Sequence, residues 1–154
     1  MAAKIIENFT NKVLIPFRLV PKDGLSPEKL AFSITIGLLA GLFPVFGATT
    51  LLSLLLTFIF RQNLMVVQSV QWIMAVFQVL MIIPFMRLGV WLLNQPEILI
   101  NIDQIKMAFQ PGLLQGIRTM GIFHLFGIVG WIVISLPSGS LIYFGLLKFF
   151  RRKI

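Results

Sequence analysis

Residues 30–60 read LAFSITIGLLAGLFPVFGATTLLSLLLTFIF, and this stretch carries no charged side chain. As one straight helix it would rise about 46 Å, well beyond the ~30 Å hydrocarbon core of a bilayer. Phe43-Pro44-Val45-Phe46-Gly47 interrupts the stretch in its middle, and each half would form a helix only about 20 Å long. Two short apolar halves joined by a Pro/Gly turn are typical of a re-entrant hairpin, which enters and leaves a membrane on the same side.

The composition supports this interpretation. Hydrophobic residues form 58% of the 154-residue chain and charged residues only 12%, whereas a soluble domain carries about 25% charged residues. The length suits one domain. We therefore predict an all-α integral membrane protein in which a re-entrant helical hairpin accompanies transmembrane helices. The chain has no cysteine, which excludes disulfides and thiolate metal sites.

The sequence divides into five segments of a single membrane domain, residues 1–154. We predict an interfacial amphipathic helix and turn at 1–24, the re-entrant hairpin at 25–62, a transmembrane helix at 64–93, an external interfacial segment at 94–118, and a broken transmembrane helix with a basic tail at 119–150. The break in the last segment falls at Pro137-Ser138-Gly139-Ser140. Paired broken helices are typical of the inverted repeats of transporters. Two unrelated Pro/Gly turns are the alternative.

The distribution of basic residues predicts an orientation. Five Lys/Arg lie in residues 1–29 and four in residues 148–153, but only three in residues 87–118. The positive-inside rule then places both termini in the cytoplasm, so the number of crossings is even. Two spans plus a re-entrant hairpin satisfy this condition. The formal net charge is +8, and the basic residues flank the apolar runs instead of forming one stripe. This arrangement indicates anionic membrane lipids as partners and no nucleic acid.

Polar groups inside the apolar runs are the candidates for a substrate path. Helix ends at a broken segment can bind anions, hydroxyls can donate to a phosphate, arginine suits bidentate phosphate contact, and a glutamine face should avoid lipid. The candidates are Pro44, Gly47, Thr49, Thr50, Arg61, Gln71, Gln78, Pro137 and Gly139. The alternatives are a structural turn, helix caps and headgroup anchors. Gly37 and Gly41 are candidates for close helix packing.

Nothing in the sequence indicates catalysis. His124 is the single histidine, and no set of residues has the spacing of a metal site or of an activated nucleophile. We therefore expect no metal, no cofactor and no enzymatic activity.

Several motifs together resemble a known family. The first is Leu25-Ser26-Pro27-Glu28-Lys29-Leu30-Ala31, followed by Ile36-Gly37-Leu38-Leu39-Ala40-Gly41-Leu42-Phe43-Pro44-Val45-Phe46-Gly47 and Thr50-Leu51-Leu52. Arg61-Gln62-Asn63-Leu64, Gln71-Trp72-Ile73 and Arg87-Leu88-Gly89-Val90-Trp91-Leu92-Leu93 extend the likeness. In these motifs the chain resembles the bacterial family DUF2062, a domain of unknown function. It departs from the family after Trp72-Ile73, where Met74-Ala75-Val76-Phe77-Gln78 replaces an Asn-Pro turn followed by Thr.

The resemblance implies a location and a function. It implies a small bacterial inner-membrane protein, of a family sometimes fused to glycosyltransferases and distantly related to the DedA/VTT superfamily. Members of that superfamily share re-entrant hairpins, and some move polyprenyl-phosphate carriers or scramble phospholipids. The leading hypothesis is therefore translocation of a lipid or a polyprenyl-phosphate carrier between leaflets without ATP. No carboxylate lies between Glu28 and Glu97 or after Asp103, which favours transport that is not driven by protons.

Two other functions remain open. One is a small membrane scaffold that recruits a glycosyltransferase or another envelope-biogenesis enzyme, and the other is a small-molecule or ion exporter. A second copy of the chain, in a homo-oligomer, is a further candidate partner.

Overall fold

The computed structural model describes residues 25–45, 47–95 and 113–152, with residues 113–120 described by their backbone only. These residues form four α-helices and no strand: α1 (Pro27–Gly41), α2 (Ala48–Ile59), α3 (Leu64–Leu92) and α4 (Leu113–Arg151). The predicted all-helical class is confirmed for this part of the chain. The predicted interfacial helix at 1–24 and residues 96–112 of the predicted external segment lie outside the described residues.

Helices α1 and α2 form an antiparallel hairpin. Helix α1 begins with Ser26 as its N-cap, whose Oγ accepts a hydrogen bond from Lys29 N at 3.3 Å, because hydroxyls satisfy the unpaired N–H groups of a first turn. Phe32, near the start of α1, packs edge-on against Phe60 at the end of α2, with ring centroids 5.2 Å apart. We call this end of the hairpin the base; the turn between α1 and α2 lies at the opposite end.

The hairpin covers only half the length of the long helices. At the base, Asn63 N donates to Ser33 Oγ at 3.2 Å. At the turn, Nε2 of Gln78 donates to the carbonyl oxygen of Phe43 at 2.9 Å, and Gln78 is the middle residue of α3. Helix α3 therefore continues about 21 Å past the turn. Helix α4 returns from that far end to the base, where Arg151 pairs with Glu28.

Glycines set how closely the helices approach. A Cβ on Gly37 would lie 2.7 Å from the carbonyl oxygen of Val67 on α3, and a Cβ on Gly41 would lie 2.6 Å from Met74 Cβ. Past the turn, α3 and α4 are closer still: a Cβ on Gly89 would overlap the carbonyl of Phe126 on α4. Small residues let helix backbones pack directly, which is typical of helices that associate in membranes.

Helix α4 runs without interruption through Pro137, so the predicted break at Pro137-Ser138-Gly139-Ser140 is wrong. A proline inside a helix removes one hydrogen bond and displaces the carbonyl four residues before it. That carbonyl is Val133's, whereas Ser138 Oγ donates to the next one, the carbonyl of Ile134, at 2.6 Å. Unwinding an apolar helix would leave more backbone groups unpaired than the one that Pro137 affects. The two Pro/Gly motifs therefore differ in backbone: the first is a turn and the second is helical.

The boundary between the last two predicted segments also shifts. Helix α4 begins at Leu113, inside the segment predicted as external at 94–118. Pro111 and Gly112 immediately precede this start in the sequence, and a Pro-Gly pair is a signal that marks helix boundaries.

Two helices, Leu64–Leu92 and Gly121–Arg151, are long and apolar enough to cross a membrane. Only 33% and 22% of their most apolar windows are buried, whereas the core helix of a soluble protein is mostly buried. Large apolar side chains instead face outward, among them Trp72 at 70% and Leu141 at 76% exposure. This surface is suited to contact with lipid chains.

Candidate functional site

The turn of the hairpin is packed against helix α4. Pro44 is among the most fully buried side chains, and a Cβ on Gly127 of α4 would lie 3.2 Å from Pro44 Cβ. Gly47 is exposed and has a φ of 80° at the N-cap of α2, where no side chain caps the helix. Because such a φ is unfavourable for residues with a Cβ, Gly47 allows the chain to reverse direction. Thr49, in the first turn of α2, is buried at 9% exposure.

A polar cluster joins α2 to α3; we call Thr50, Ser53, Gln68 and Gln71 the glutamine cluster. Nε2 of Gln71 donates to Thr50 Oγ1 at 3.1 Å, and Nε2 of Gln68 donates to Ser53 Oγ at 2.8 Å. The Ser53 hydroxyl donates to Oε1 of Gln71 and also approaches the carbonyl of Thr50. The cluster is thus a closed set of hydrogen bonds between the returning half of the hairpin and the first half of α3.

Two side chains from the long helices bind the carboxyl end of α1. Gln78 donates to the carbonyl of Phe43, and Nε1 of Trp131 on α4 donates to the carbonyl of Leu39 at 3.0 Å. The Leu39 carbonyl also accepts a hydrogen bond from the N–H of the C-cap residue Leu42 at 3.2 Å, so Trp131 is its second donor. The Phe43 carbonyl lies just past the end of α1, and in an apolar surrounding such a carbonyl needs a donor. Among the described residues, every buried side-chain nitrogen and oxygen has a hydrogen-bond partner. The polar interior of the hairpin is therefore satisfied by the protein itself.

Arg61 lies at the base and not near the turn. It ends α2 with a φ of 50°, and the backbone N–H of Gln62 donates to the carbonyl of Thr57 at 2.9 Å. This is the hydrogen bond of a Schellman motif, a common way to end a helix. Helix α2 separates Arg61 from Gly47 by about 18 Å. The structure therefore does not bring the predicted arginine to the predicted turn site.

An apolar groove lies between α2 and α4, with α1 as its floor. The backbones of α2 and α4 are not in contact with each other, and the space between these two helices has a volume of about 480 Å³. Its walls are mostly aromatic and aliphatic, including Phe32, Leu39, Leu56, Phe60, Trp131 and Phe144. Of the predicted second break, Gly139 is buried in the groove wall, where a Cβ would lie 2.8 Å from Leu39 Cδ1. Pro137 is exposed and does not line the groove.

The serine and threonine hydroxyls of the groove are already bonded to the backbone of their own helices, and Tyr143 adds a phenol to the lining. Thr35 Oγ1 donates to the carbonyl of Ala31 at 2.8 Å, Ser135 Oγ to that of Ile132 at 3.2 Å, and Ser140 Oγ to that of Leu136 at 3.1 Å. Such bonds leave little donor capacity for a ligand. The groove therefore presents an apolar surface in spite of these residues.

The base is positively charged. A guanidinium nitrogen of Arg151 lies 2.7 Å from a carboxylate oxygen of Glu28, and this hydrogen bond holds the pKa of Glu28 below its ordinary value. Four further basic side chains are exposed at this end: Lys29, Arg61, Lys148 and Arg152. Only one acidic residue offsets these charges in the described part of the base, so the surface attracts anions.

The structure brings together some of the predicted site residues and separates others. Thr50 meets Gln71 directly, and Gln78 bonds the carbonyl of Phe43, the residue that precedes Pro44. Ser53 and Trp131, which complete these contacts, are not among the predicted residues. The spacing of Thr49, Ser53 and Thr57, one helical turn apart, is the signal that could have identified a polar face on α2.

Comparison with known proteins gives one family and no individual relative. No curated protein and no solved structure matches the chain. The sequence model of a family described as "uncharacterized protein conserved in bacteria" matches residues 13–154, which include all four helices described above. The chain therefore belongs to DUF2062, a family of uncharacterized proteins conserved in bacteria.

Proposed function

We propose that the protein is a multi-pass protein of the bacterial inner membrane in which α3 and α4 span the bilayer and the hairpin is re-entrant from the cytoplasmic side. The length of the hairpin supports this arrangement, because it ends halfway along α3. The cluster of basic residues at the base, including Lys148 and Arg152, supports a cytoplasmic base by the positive-inside rule.

In this arrangement the protein translocates a lipid, or a polyprenyl-phosphate lipid carrier, between leaflets without ATP. One observation carries the proposal: polar groups continue from the base to half depth in an otherwise apolar structure. The bond from Gln78 to Phe43 stands at half depth, where a headgroup meets its highest barrier, and the glutamine cluster lies about 10–15 Å nearer the base. Polar side chains at this depth are costly and are therefore a functional hypothesis by default. The headgroup exchanges bonds with the cluster as it passes, while its chains remain in lipid.

The experiment is lipid scrambling by purified protein in liposomes. The probes are fluorescent phosphatidylglycerol, phosphatidylethanolamine and a polyprenyl phosphate, and the readout is the fraction accessible to an external quencher. The wild-type protein should move at least one probe faster than protein-free vesicles do. Gln71→Leu should slow this movement at least several-fold, whereas Ser69→Ala should not, because Ser69 bonds only the carbonyl of Met65 on its own helix.

Failure is equally informative. If the folded wild-type protein moves none of the three probes, translocation is refuted. If Gln71→Leu moves lipid at the wild-type rate, the glutamine cluster is not on the path.

A scaffold that recruits an envelope-biogenesis enzyme is the second candidate. It is favoured by the closed hydrogen bonding of the hairpin interior, where every described buried polar side-chain atom is satisfied. Such an interior stabilises a single rigid shape and needs no moving headgroup. A folded protein that fails to move lipid, and that co-purifies at fixed stoichiometry with a membrane-bound glycosyltransferase, would establish this function.

A further inference from the structure

The groove between α2 and α4 has the dimensions of a site for one hydrocarbon chain. It extends along α4 from Trp131 to Phe144, which is about 20 Å of helix. One leaflet contributes about 15 Å, half of the ~30 Å hydrocarbon core, so the groove is long enough for a chain that spans one leaflet. Its volume of about 480 Å³ falls within the ~300–1,000 Å³ typical of ligand pockets.

The wall that α4 contributes to the groove continues directly into positive charge. Its lining residues Ile132, Leu136, Ser140 and Phe144 repeat every fourth residue. The next two positions of this series are Lys148 and Arg152, and these two line a shallow depression of about 290 Å³ together with Gly145 and Phe149. Residues four apart are neighbours on a helix surface, and each such step turns the row by about 40° around the axis. The row therefore winds around α4, and Lys148, one step beyond Phe144, is the cation nearest to the groove wall, with Arg152 one step further.

We propose that this groove binds one acyl chain of an anionic phospholipid, whose phosphate lies against Lys148 and Arg152. The inference rests on the membrane placement given under the proposed function and names the substrate class of that function. The mostly apolar walls disfavour a sugar or an ion as occupant, since the serine and threonine hydroxyls are bonded to their own helices and only the phenol of Tyr143 adds a further hydroxyl. The length of the groove favours an acyl chain over the much longer polyprenyl chain. The charge at its end selects an anionic headgroup.

The test for the chain is photolabelling in lipid nanodiscs. The probe is phosphatidylglycerol with a diazirine on one acyl chain, and labelled residues are located by mass spectrometry. Labels should concentrate on Leu136 and Ser140. Ser140→Trp fills the groove and should reduce labelling at least several-fold. Leu141→Trp is the matched control, because Leu141 is 76% exposed and does not line the groove. Both variants must elute at the wild-type volume in size-exclusion chromatography, which shows that they fold.

The test for the headgroup compares labelling by phosphatidylglycerol with labelling by a phosphatidylcholine probe. The double variant Lys148→Gln, Arg152→Gln should lose the preference for the anionic probe. The double variant Lys148→Arg, Arg152→Lys should retain this preference. Arg87→Gln should leave the preference unchanged, because Arg87 lies on α3 beyond the turn and far from the base.

Three results would overturn the proposal. If Ser140→Trp is labelled as strongly as the wild-type protein, the acyl chain does not occupy the groove. Stronger competition by unlabelled polyprenyl phosphate than by phosphatidylglycerol would assign the groove to that carrier. A disulfide that forms in membranes between cysteines placed at Phe9 and Ser140 would assign it to the N-terminal segment. The labelling experiment does not depend on transport. If the protein is labelled as expected but does not scramble lipid, the groove site is supported and translocation is refuted.

Discussion

Gly89 and Gly121 both lie on the long helices, but their surroundings are opposite. A Cβ on Gly89 would overlap the carbonyl of Phe126, whereas nothing lies within 4 Å of a Cβ on Gly121. We expect Gly89→Ala to destabilise the protein by about 1–3 kcal/mol or more, because the helices must separate. Gly121→Ala should instead stabilise it by up to about 1 kcal/mol, because alanine favours the helix. Denaturant unfolding in detergent measures both, and equal stabilities would contradict the packing of α3 on α4.

The left-handed backbone of Arg61 gives a second prediction at the residue scale. Arg61 and Asn94 end α2 and α3 with φ values of 50° and 55°. This conformation costs roughly 1–2 kcal/mol for most residues and less for asparagine. Arg61→Gly should therefore raise the free energy of unfolding by about 1 kcal/mol, and Asn94→Gly should raise it by less. Loss of stability in Arg61→Gly would show that the arginine side chain contributes more than its backbone costs.

At the scale of elements, the carboxyl end of α1 depends on a side chain from α4. Trp131 donates to the carbonyl of Leu39, and its ring packs edge-on against Phe43. Trp131→Phe preserves a ring but removes one of the two donors to that carbonyl, since Leu42 N also donates to it, so we expect a cost of about 0.5–1.5 kcal/mol. Trp91→Phe is the control, since Trp91 is 73% exposed. Thermal unfolding should separate the two variants, and identical midpoints would mean that the bond to Leu39 does not hold the hairpin.

The two prolines of the Pro/Gly motifs should respond in opposite ways to substitution. Pro137 lies inside the continuous helix α4 and is exposed. Pro137→Ala restores a backbone hydrogen bond and should stabilise the protein by up to about 3 kcal/mol. Pro44→Ala removes part of a fully buried side chain that lies beside Gly127 of α4 and should destabilise it. An unfolding midpoint of Pro137→Ala below that of the wild-type protein would indicate that α4 needs its proline.

For the whole molecule, the proposed topology is tested by cysteine accessibility. The chain has no cysteine of its own, so single cysteines give unambiguous labels. Cysteines at Gln62 and Arg152 should react with a membrane-impermeant maleimide from the cytoplasmic side, because both lie at the base. A cysteine at Gln95, which follows α3 at its far end, should react only from the other side. Labelling of Gln62 and Arg152 from opposite sides would contradict a re-entrant hairpin.

The sequence alone determined the elements that depend on local chemistry. Uncharged runs, the turn at Pro44 and Gly47, and the N-cap at Ser26 specify helices and their ends, because hydrophobicity and backbone preferences act over a few residues. The family also follows from sequence, since the match covers residues 13–154. The pattern was misleading at Pro137, because a proline changes a helix only as far as the surrounding packing and hydroxyls permit.

Tertiary structure decided which polar groups meet. The sequence placed Gln71, Gln78 and Arg61 among the site candidates without distinguishing their environments. In the structure Gln71 bonds the returning half of the hairpin, Gln78 bonds its turn, and Arg61 lies at the other end of α2. The groove is likewise invisible in the sequence, because it exists only where α2 and α4 both pack on α1 and leave space between them. Such features depend on the relative positions of helices that are distant in sequence, and local preferences do not encode those positions.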